Sequence, residues 1–239
     1  MALHLLHVRK SGGTAIKFAL QQAMKRADGK LVTPHGRVVL HAHSTRLRDV
    51  PEGDLAFLAV RDPATRFVSG FYSRLRKGAP RYYREWSDAE QRCFQWFSTP
   101  QELADALAGR WGPRKKKAEF AMDSIRHLRR PLIWWTGKAE RFRAALPRVL
   151  YIARQETLDD DWERLKILLE LPSGLHLPRD PIQAHRHTGD DDKTLTPRML
   201  EAVRNWYAED YRLLEVVDEA RKDMIARVEG MAAPSDVRQ

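Results

Sequence analysis

Four short apolar runs, each followed by helix-forming sequence, constrain the fold of this chain more than any other feature: residues 3–8, 38–43 (VVLHAH), 55–62 (LAFLAVRD) and 149–156 (VLYIARQE). Runs this continuous belong to parallel strands covered on both faces, because a strand with one wet face would alternate apolar with polar residues. The sequence between them agrees. TAIKFALQQAMKRADG places Ile16, Ala19, Leu20 and Ala23 on one helical face and stops at Gly29, and a second helix is expected over about 64–76, after Asp62-Pro63. Thr99-Pro100-Gln101-Glu102 opens a third with a capping threonine, a first-position proline and a third-position glutamate, closed by Gly109. A helix capped by Thr157 runs to about Glu170, and Thr196-Pro197 starts a long final one with Leu200, Val203, Trp206, Tyr207, Tyr211 and Leu214 on one face. GPRKKKAEF reads as a basic loop, and the polar stretch from Pro172 to Thr194 as a long loop. Strands alternating with helices predict an α/β fold with a largely parallel sheet. At 239 residues, one domain over 1–231 with a disordered tail at 232–239 is expected. Ligands of such sheets bind at the carboxyl ends of the strands.

The charge balance narrows the partners. Lys and Arg number 42 against 32 Asp and Glu, a net +10, which favours polyanions such as nucleic acid, anionic glycans, phosphorylated cofactors or membrane surfaces. For most single cations, including the run Arg114 to Lys117, a solvated face is the simpler reading. Cys93 is the only cysteine, which excludes an intrachain disulfide and a zinc ribbon and agrees with a reducing compartment. The N-terminal apolar run is broken by His4 and its cations follow it, the reverse of a secretory signal. No window approaches ~18 uninterrupted apolar residues, so no membrane span is expected and a cytoplasmic location is.

The stretch HVRKSGGTAIKF, His7 to Phe18, is the first chemically loaded segment: a strand, a paired-glycine turn and a helix start. Such a junction offers backbone N–H groups and the positive end of a helix to an anion. Gly12 and Gly13 let the main chain come close, Lys10 adds a mobile charge, and the Ser11 and Thr14 hydroxyls can donate to phosphate oxygens. The plainer alternative is a capping turn that needs glycine. A Walker loop is absent, since Lys10 precedes the glycines, and a small-molecule kinase is disfavoured accordingly.

His7, Lys10, Ser11, Gly12, Gly13 and Thr14 resemble the 5′-phosphosulfate loop, H-x-P-K-[ST]-G-[GT]-[ST], of sulfotransferases that use 3′-phosphoadenosine 5′-phosphosulfate (PAPS). Arg9 stands where proline is usual. The segment RDPATRFVSGFY, Arg61 to Tyr72, is similar to the 3′-phosphate block of the same family, R-[DH]-P-x-x-R-x-x-S-x-[YF]. There Arg61 would fork onto phosphate and Ser69 donate to the same group, while Arg66 is as readily a structural ion-pair partner. His41 and His43 in LHAH resemble the H-G-H of uronyl and heparan 2-O-sulfotransferases, whose second histidine is the general base; alternation along a strand would put both on one face. Buried structural histidines, or half of a metal site, are the alternatives there.

The resemblance implies a P-loop-like three-layer α/β/α fold and transfer of a sulfuryl group from PAPS to a hydroxyl acceptor, with no metal. It makes His43 the base, His41 an orienting or acceptor-binding neighbour, Lys10 a catalytic and cofactor-binding cation, and Ser11, Gly12, Gly13, Thr14, Arg61 and Ser69 further cofactor ligands. HRHTGDDDKTLT, 185–196, resembles the family's late loop over the cofactor and would bring Arg186 to a phosphate. Trp134-Trp135 lines the cleft or fills the core, and Glu156 is architectural. A glycan, a lipid or a small alcohol can each be the acceptor. The rival from another class is a non-catalytic basic protein that binds nucleic acid or an anionic polymer.

Overall fold

A computed structural model of the protein describes residues 1–180 and 192–232. Its centre is β1 (Ala2–Leu6), whose Leu3, Leu5 and Leu6 have no solvent exposure. β1 pairs in parallel with β3 (Gly36–Leu40) on one side and with β4 (Leu55–Val60) on the other, and β5 (Val149–Arg154) pairs in parallel with β4. A two-residue strand, β2 (Val32–Thr33), folds back antiparallel on β3, giving the order β2-β3-β1-β4-β5. The chain therefore leaves β1 toward one side of the sheet and returns to place β4 on the other. Such a reversal opens a crevice beyond the carboxyl ends of the strands, where the segments after β1, β3 and β4 converge.

Ten α-helices lie among the described residues, and they flank the sheet: α1 (Gly13–Arg26), α2 (Pro63–Leu75), α3 (Asp88–Trp96), α4 (Pro100–Leu107), α5 (Pro113–Ser124), α6 (Ile133–Thr136), α7 (Ala139–Ala145), α8 (Leu158–Leu168), α9 (Pro197–Trp206) and α10 (Ala208–Ala232). The apolar interior falls into two clusters. One joins the sheet to α1, α8 and α10 through residues such as Ile16, Leu20, Phe57, Trp162 and Val217. The other is helical, uniting α2, α3, α4, α5 and α9 around Phe67, Phe71, Cys93, Leu103, Met122 and Val203. Arg74 of α2 crosses this second unit to Glu90 of α3, with two hydrogen bonds of 2.8 Å between buried groups. Among the described residues no helix is long and apolar enough to cross a membrane.

Several expectations are corrected. The run 38–43 is a strand only as far as Leu40; pairing continues to the His41 amide, 3.3 Å from the Leu5 carbonyl, and then stops. The basic segment is helical: Gly112 at φ 114 and Pro113 in the first turn start α5, whose Ala118, Ala121 and Met122 are buried while Lys116 and Lys117 face solvent. Lysine and arginine are good helix formers, so a run of them does not make a loop. The final helix breaks at Tyr207, whose hydroxyl is held by the Leu128 carbonyl at 2.8 Å, and resumes as α10. Thr157 stands at the start of α8 as expected, but its hydroxyl donates to the Asp161 carboxylate at 2.9 Å instead of capping the backbone. Arg186, most of the late loop and, after Ala232, the expected disordered tail lie outside the described residues.

Candidate active site

The segment from His7 to Gly12 links β1 to α1 through two left-handed residues, Lys10 at φ 61 and Gly12 at φ 84. A β-carbon on Gly12 would lie 2.8 Å from Leu158, and one on Gly13 would lie 2.8 Å from the His7 ring, so both positions need glycine. His7 is itself fixed, its Nε2 3.2 Å from the Thr14 hydroxyl. The amides of Gly12, Gly13 and Thr14 have no acceptor among the described residues, as expected of a helix start, and no acidic residue sits in the first turn of α1. Ser11 is fully buried and its hydroxyl donates to the Arg9 carbonyl at 3.4 Å, so its side chain turns inward. Lys10 is half-buried; burial, and then Arg61 and Arg76, bring its pKa from 10.5 down to about 7. A left-handed turn, free amides and the Lys10 ammonium, with no acidic residue in the first turn of α1, make up a loop suited to an anion; Arg61 next to it is acted on by Glu156 and Asp62.

Arg61 follows β4 beside this loop. Its Nε donates to the Thr65 hydroxyl at 2.9 Å, which leaves the two terminal nitrogens, the edge that forks onto an oxyanion, without an acceptor among the described residues. Asp62 caps α2 by accepting from the Thr65 amide at 2.8 Å and takes the Tyr211 hydroxyl at 3.0 Å on its other oxygen. The Asp62 amide donates to Glu156 at 2.8 Å, which gives Glu156 the architectural role expected of it. Ser69 lies half-buried on α2. Arg66 does not join the site: it is buried against Tyr207, 3.6 Å from Asp210. Tyr72 and Gln101 both donate to the Asp192 carbonyl, at 2.8 and 2.9 Å, holding that part of the chain against α2 and α4.

The two histidines of LHAH part company because β3 ends before them. His43 Nδ1 is 2.9 Å from the His7 carbonyl. A carbonyl only accepts, so Nδ1 carries the proton and Nε2 keeps its lone pair. The His7 ring packs 3.8 Å from the His43 ring, and Trp135 Nε1 donates to the His43 carbonyl at 3.0 Å. Burial first, then the cations Arg9, Lys17 and Arg126, lower the His43 pKa to about 4. Burial, aided by His43 and Lys17, takes His7 to about 2, so both rings are neutral near pH 7. His41 belongs to another chain of contacts. Its Nε2 is 2.7 Å from His4 Nδ1, His4 Nε2 is 3.1 Å from Asp54, and Thr45 meets His41 Nδ1 at 3.2 Å. Both ring nitrogens of His41 are occupied, whereas His43 retains one.

Sequence reasoning missed four contributors. His4 only interrupts an apolar run, and its pairing with His41 comes from strands 37 residues apart. Arg9 and His127 are buried, with Arg9 Nε and His127 Nδ1 lacking a partner, and Arg126 acts electrostatically on both Arg9 and His43. Trp134 is clasped by Arg46 and Arg130, 4.1 and 3.9 Å from its ring centre, while Trp135 is core.

The donor suggested by the sequence fits these residues. A cradle that a single β-carbon would fill, free amides and the Lys10 ammonium suit a phosphate-bearing group. No curated protein and no solved structure matches the chain. A family model described as Sulfotransferase family matches residues 2–215, which take in every element from β1 into α10 and the turns after β1 and β4. The chain belongs to the sulfotransferase family and is a PAPS-dependent transferase.

Proposed function

We propose that the protein is an O-sulfotransferase in which His43 is the general base, acting on a hydroxyl acceptor such as a glycan or another anionic alcohol. PAPS supplies an activated sulfuryl group and a bisphosphate leaving group. With that group bound, His43 Nε2 would take the proton of the acceptor hydroxyl, while Nδ1 stays anchored on the His7 carbonyl. Lys10 and the amides of Gly12, Gly13 and Thr14 hold the 5′-phosphate and receive charge as the bond to the leaving oxygen breaks. Arg61 and Ser69 hold the 3′-phosphate. His41 acts by orientation: its carbonyl accepts from Lys17 at 3.2 Å, and its ring ties the segment after β3 to β1. Burial is the main reason the His43 pKa is low, and it keeps the ring neutral near pH 7, the form in which Nε2 can take a proton; a donor with several negative charges would offset only the smaller contribution of Arg9, Lys17 and Arg126.

The observation that carries the reading is the pairing of an anchored His43, one nitrogen free, with a glycine cradle of free amides and Lys10. The test is calorimetric titration with adenosine 3′,5′-bisphosphate, with adenosine 5′-phosphate and ATP as controls, followed by radiolabelled sulfuryl transfer. The bisphosphate should bind most tightly, and His43→Ala should abolish transfer while leaving that affinity within a few-fold. A basic protein that only collects polyanions would show no such preference and a steep loss of binding with salt. Equal losses of transfer and binding in His43→Ala would remove His43 from the role of base.

A further inference from the structure

Outside the crevice, one stretch of surface gathers aromatic rings and cations that the proposed reaction does not use. Residues 110–117 hold five cations and no acid. Trp111 stands among them 89% exposed, more than any other large apolar side chain described, and among the described residues no ring or cation covers either of its faces. Arg114 has a carboxylate partner there, Asp105 at 3.2 Å, whereas Arg110, Lys116 and Lys117 have none. α5 buries Ala118, Ala121 and Met122, which turns Lys116 and, one turn on, Phe120 outward; Phe120 is 37% exposed. Beside them lies α3. Lys117 Nζ sits 5.1 Å from the ring centre of Trp96, the Arg92 guanidinium 5.3 Å from that of Phe120, and the two rings meet edge to face at 5.8 Å. These pairs run in opposite directions along the two helices, so α3 and α5 are antiparallel, and Asp88 and Asp123 fall together at the end away from Trp111. Glu119 is on the other flank of α5, lining a groove with Lys115, Arg198 and Glu201.

We infer that this strip, led by Trp111 with Arg110, Lys116 and Lys117 around it, docks the protein on the surface of an anionic lipid bilayer. Tryptophan suits that boundary, since its ring enters the apolar margin while its N–H stays wet, and lysine and arginine lay their stems along apolar surface while their charged ends reach the headgroups. Charge complementarity decides among occupants. A second copy of the chain would set five cations against five. A single nucleic-acid strand needs a groove with open aromatic faces, whereas Lys117 and Arg92 already lie over Trp96 and Phe120, and Trp111 stands alone. A bilayer needs no groove, and the acids at the far end tilt the strip so that the Trp111 end enters. The strip belongs to the helical cluster and shares no residue with the loop at Lys10, the turn at Arg61 or the segment of His43, so docking is independent of donor binding.

The test is co-sedimentation of the full chain with vesicles of phosphatidylcholine alone and of phosphatidylcholine with about three parts in ten of phosphatidylserine. Binding should require the anionic lipid and weaken with salt. Lys116→Gln combined with Lys117→Gln should lower it about twenty-five-fold, at about five-fold for each cation removed from an anionic surface. Trp111→Ser should lower it several-fold and abolish the blue shift in tryptophan emission that vesicles produce in the wild type. Lys25→Gln combined with Arg26→Gln, a pair of exposed cations at the end of α1, should leave binding within about two-fold, which separates the strip from the general positive charge of the chain. Unchanged urea midpoints in the variants verify that each is folded, and none of these readouts involves the bisphosphate, so the donor reading can fail without altering them. Equal binding to the two kinds of vesicle, full binding by Trp111→Ser, or an equal loss in the α1 variant overturns the docking site. Binding to neither, together with Trp111-dependent binding of a thymidine oligonucleotide, assigns the strip to nucleic acid and overturns it as well.

Discussion

Donor binding should draw a proton from solution, and the amount follows from Lys10. In the unliganded protein its pKa is about 7, held down by burial and by Arg61 and Arg76. A bisphosphate bound as proposed would face Lys10 and Arg61 with opposite charge, and its field would return the Lys10 pKa toward the ordinary lysine value. The free-state pKa is the lower one, so binding takes up protons and affinity falls as pH rises through about 7. At pH 8 about nine in ten Lys10 side chains start neutral, giving an uptake of about 0.9 proton per bisphosphate, against about 0.1 at pH 6. Above pH 7, affinity should fall roughly ten-fold per pH unit until the bound-state pKa is reached. Phosphate monoesters complete their ionisation near pH 6, so measurements at pH 7.5 and 8 isolate the lysine. Calorimetry at each pH in two buffers of different ionisation enthalpy reads the proton count from the difference in observed heat. No uptake at pH 8 in the wild type, or the same uptake in Lys10→Met, would refute both the depressed pKa and the contact of Lys10 with the phosphates.

Arg61→Ala should weaken adenosine 3′,5′-bisphosphate by roughly ten- to a hundred-fold, the worth of a forked charge-assisted contact, and leave adenosine 5′-phosphate within a few-fold; an unchanged affinity ratio in calorimetry would remove Arg61 from the 3′-phosphate. Gly13→Ala sets a methyl group 2.8 Å from the His7 ring, which Thr14 and His43 hold in place, so a stability loss of about 1–3 kcal/mol is expected in urea denaturation, with weaker bisphosphate binding. A wild-type midpoint in that variant would show that the cradle is looser than described. Acid should destabilise the fold below about pH 6.5, where the unfolded chain protonates His7 and His43 but the folded one does not. His43 stops contributing to the slope near pH 4, its folded pKa, and His7 only near pH 2. Urea midpoints between pH 7 and pH 5 should therefore fall less steeply in His43→Gln, and an identical slope would mean that His43 is not held neutral.

The parts of the site legible in the sequence were those carried by one continuous segment. The turn from β1 to α1 and the turn from β4 to α2 each announce themselves by glycine, proline and charge within a dozen residues, and both stand where a parallel sheet needs them. What could not be read depends on which strands become neighbours. His41 and His43 look alike in an alternating run, yet β3 ends at Leu40, after which one ring is captured by His4 and the other by the His7 carbonyl. Arg66 and Arg61 both fit the motif; Asp210, 144 positions after Arg66, takes one inward and leaves the other at the crevice. The hairpin of β2 with β3 is too short for any periodicity to register. The helical nature of Arg114 to Lys117 was hidden because the buried residues of α5 begin only after the charged run.

The two apolar clusters give donor binding a mechanical consequence. The loop from Lys10 to Thr14 is anchored in the sheet cluster, while Ser69 rides on α2, whose Phe67, Val68 and Phe71 belong to the helical cluster. On the proposed assignments a donor held at its 5′ end by the loop and at its 3′ end by Arg61 and Ser69 would bridge the two clusters. Amide hydrogen exchange would then slow together in α1 and α2 as the bisphosphate saturates, with the less stable of the two gaining more, because its opening now has to break the ligand contacts as well. On that reading the crevice would also be the seam at which the protein's local stabilities become linked.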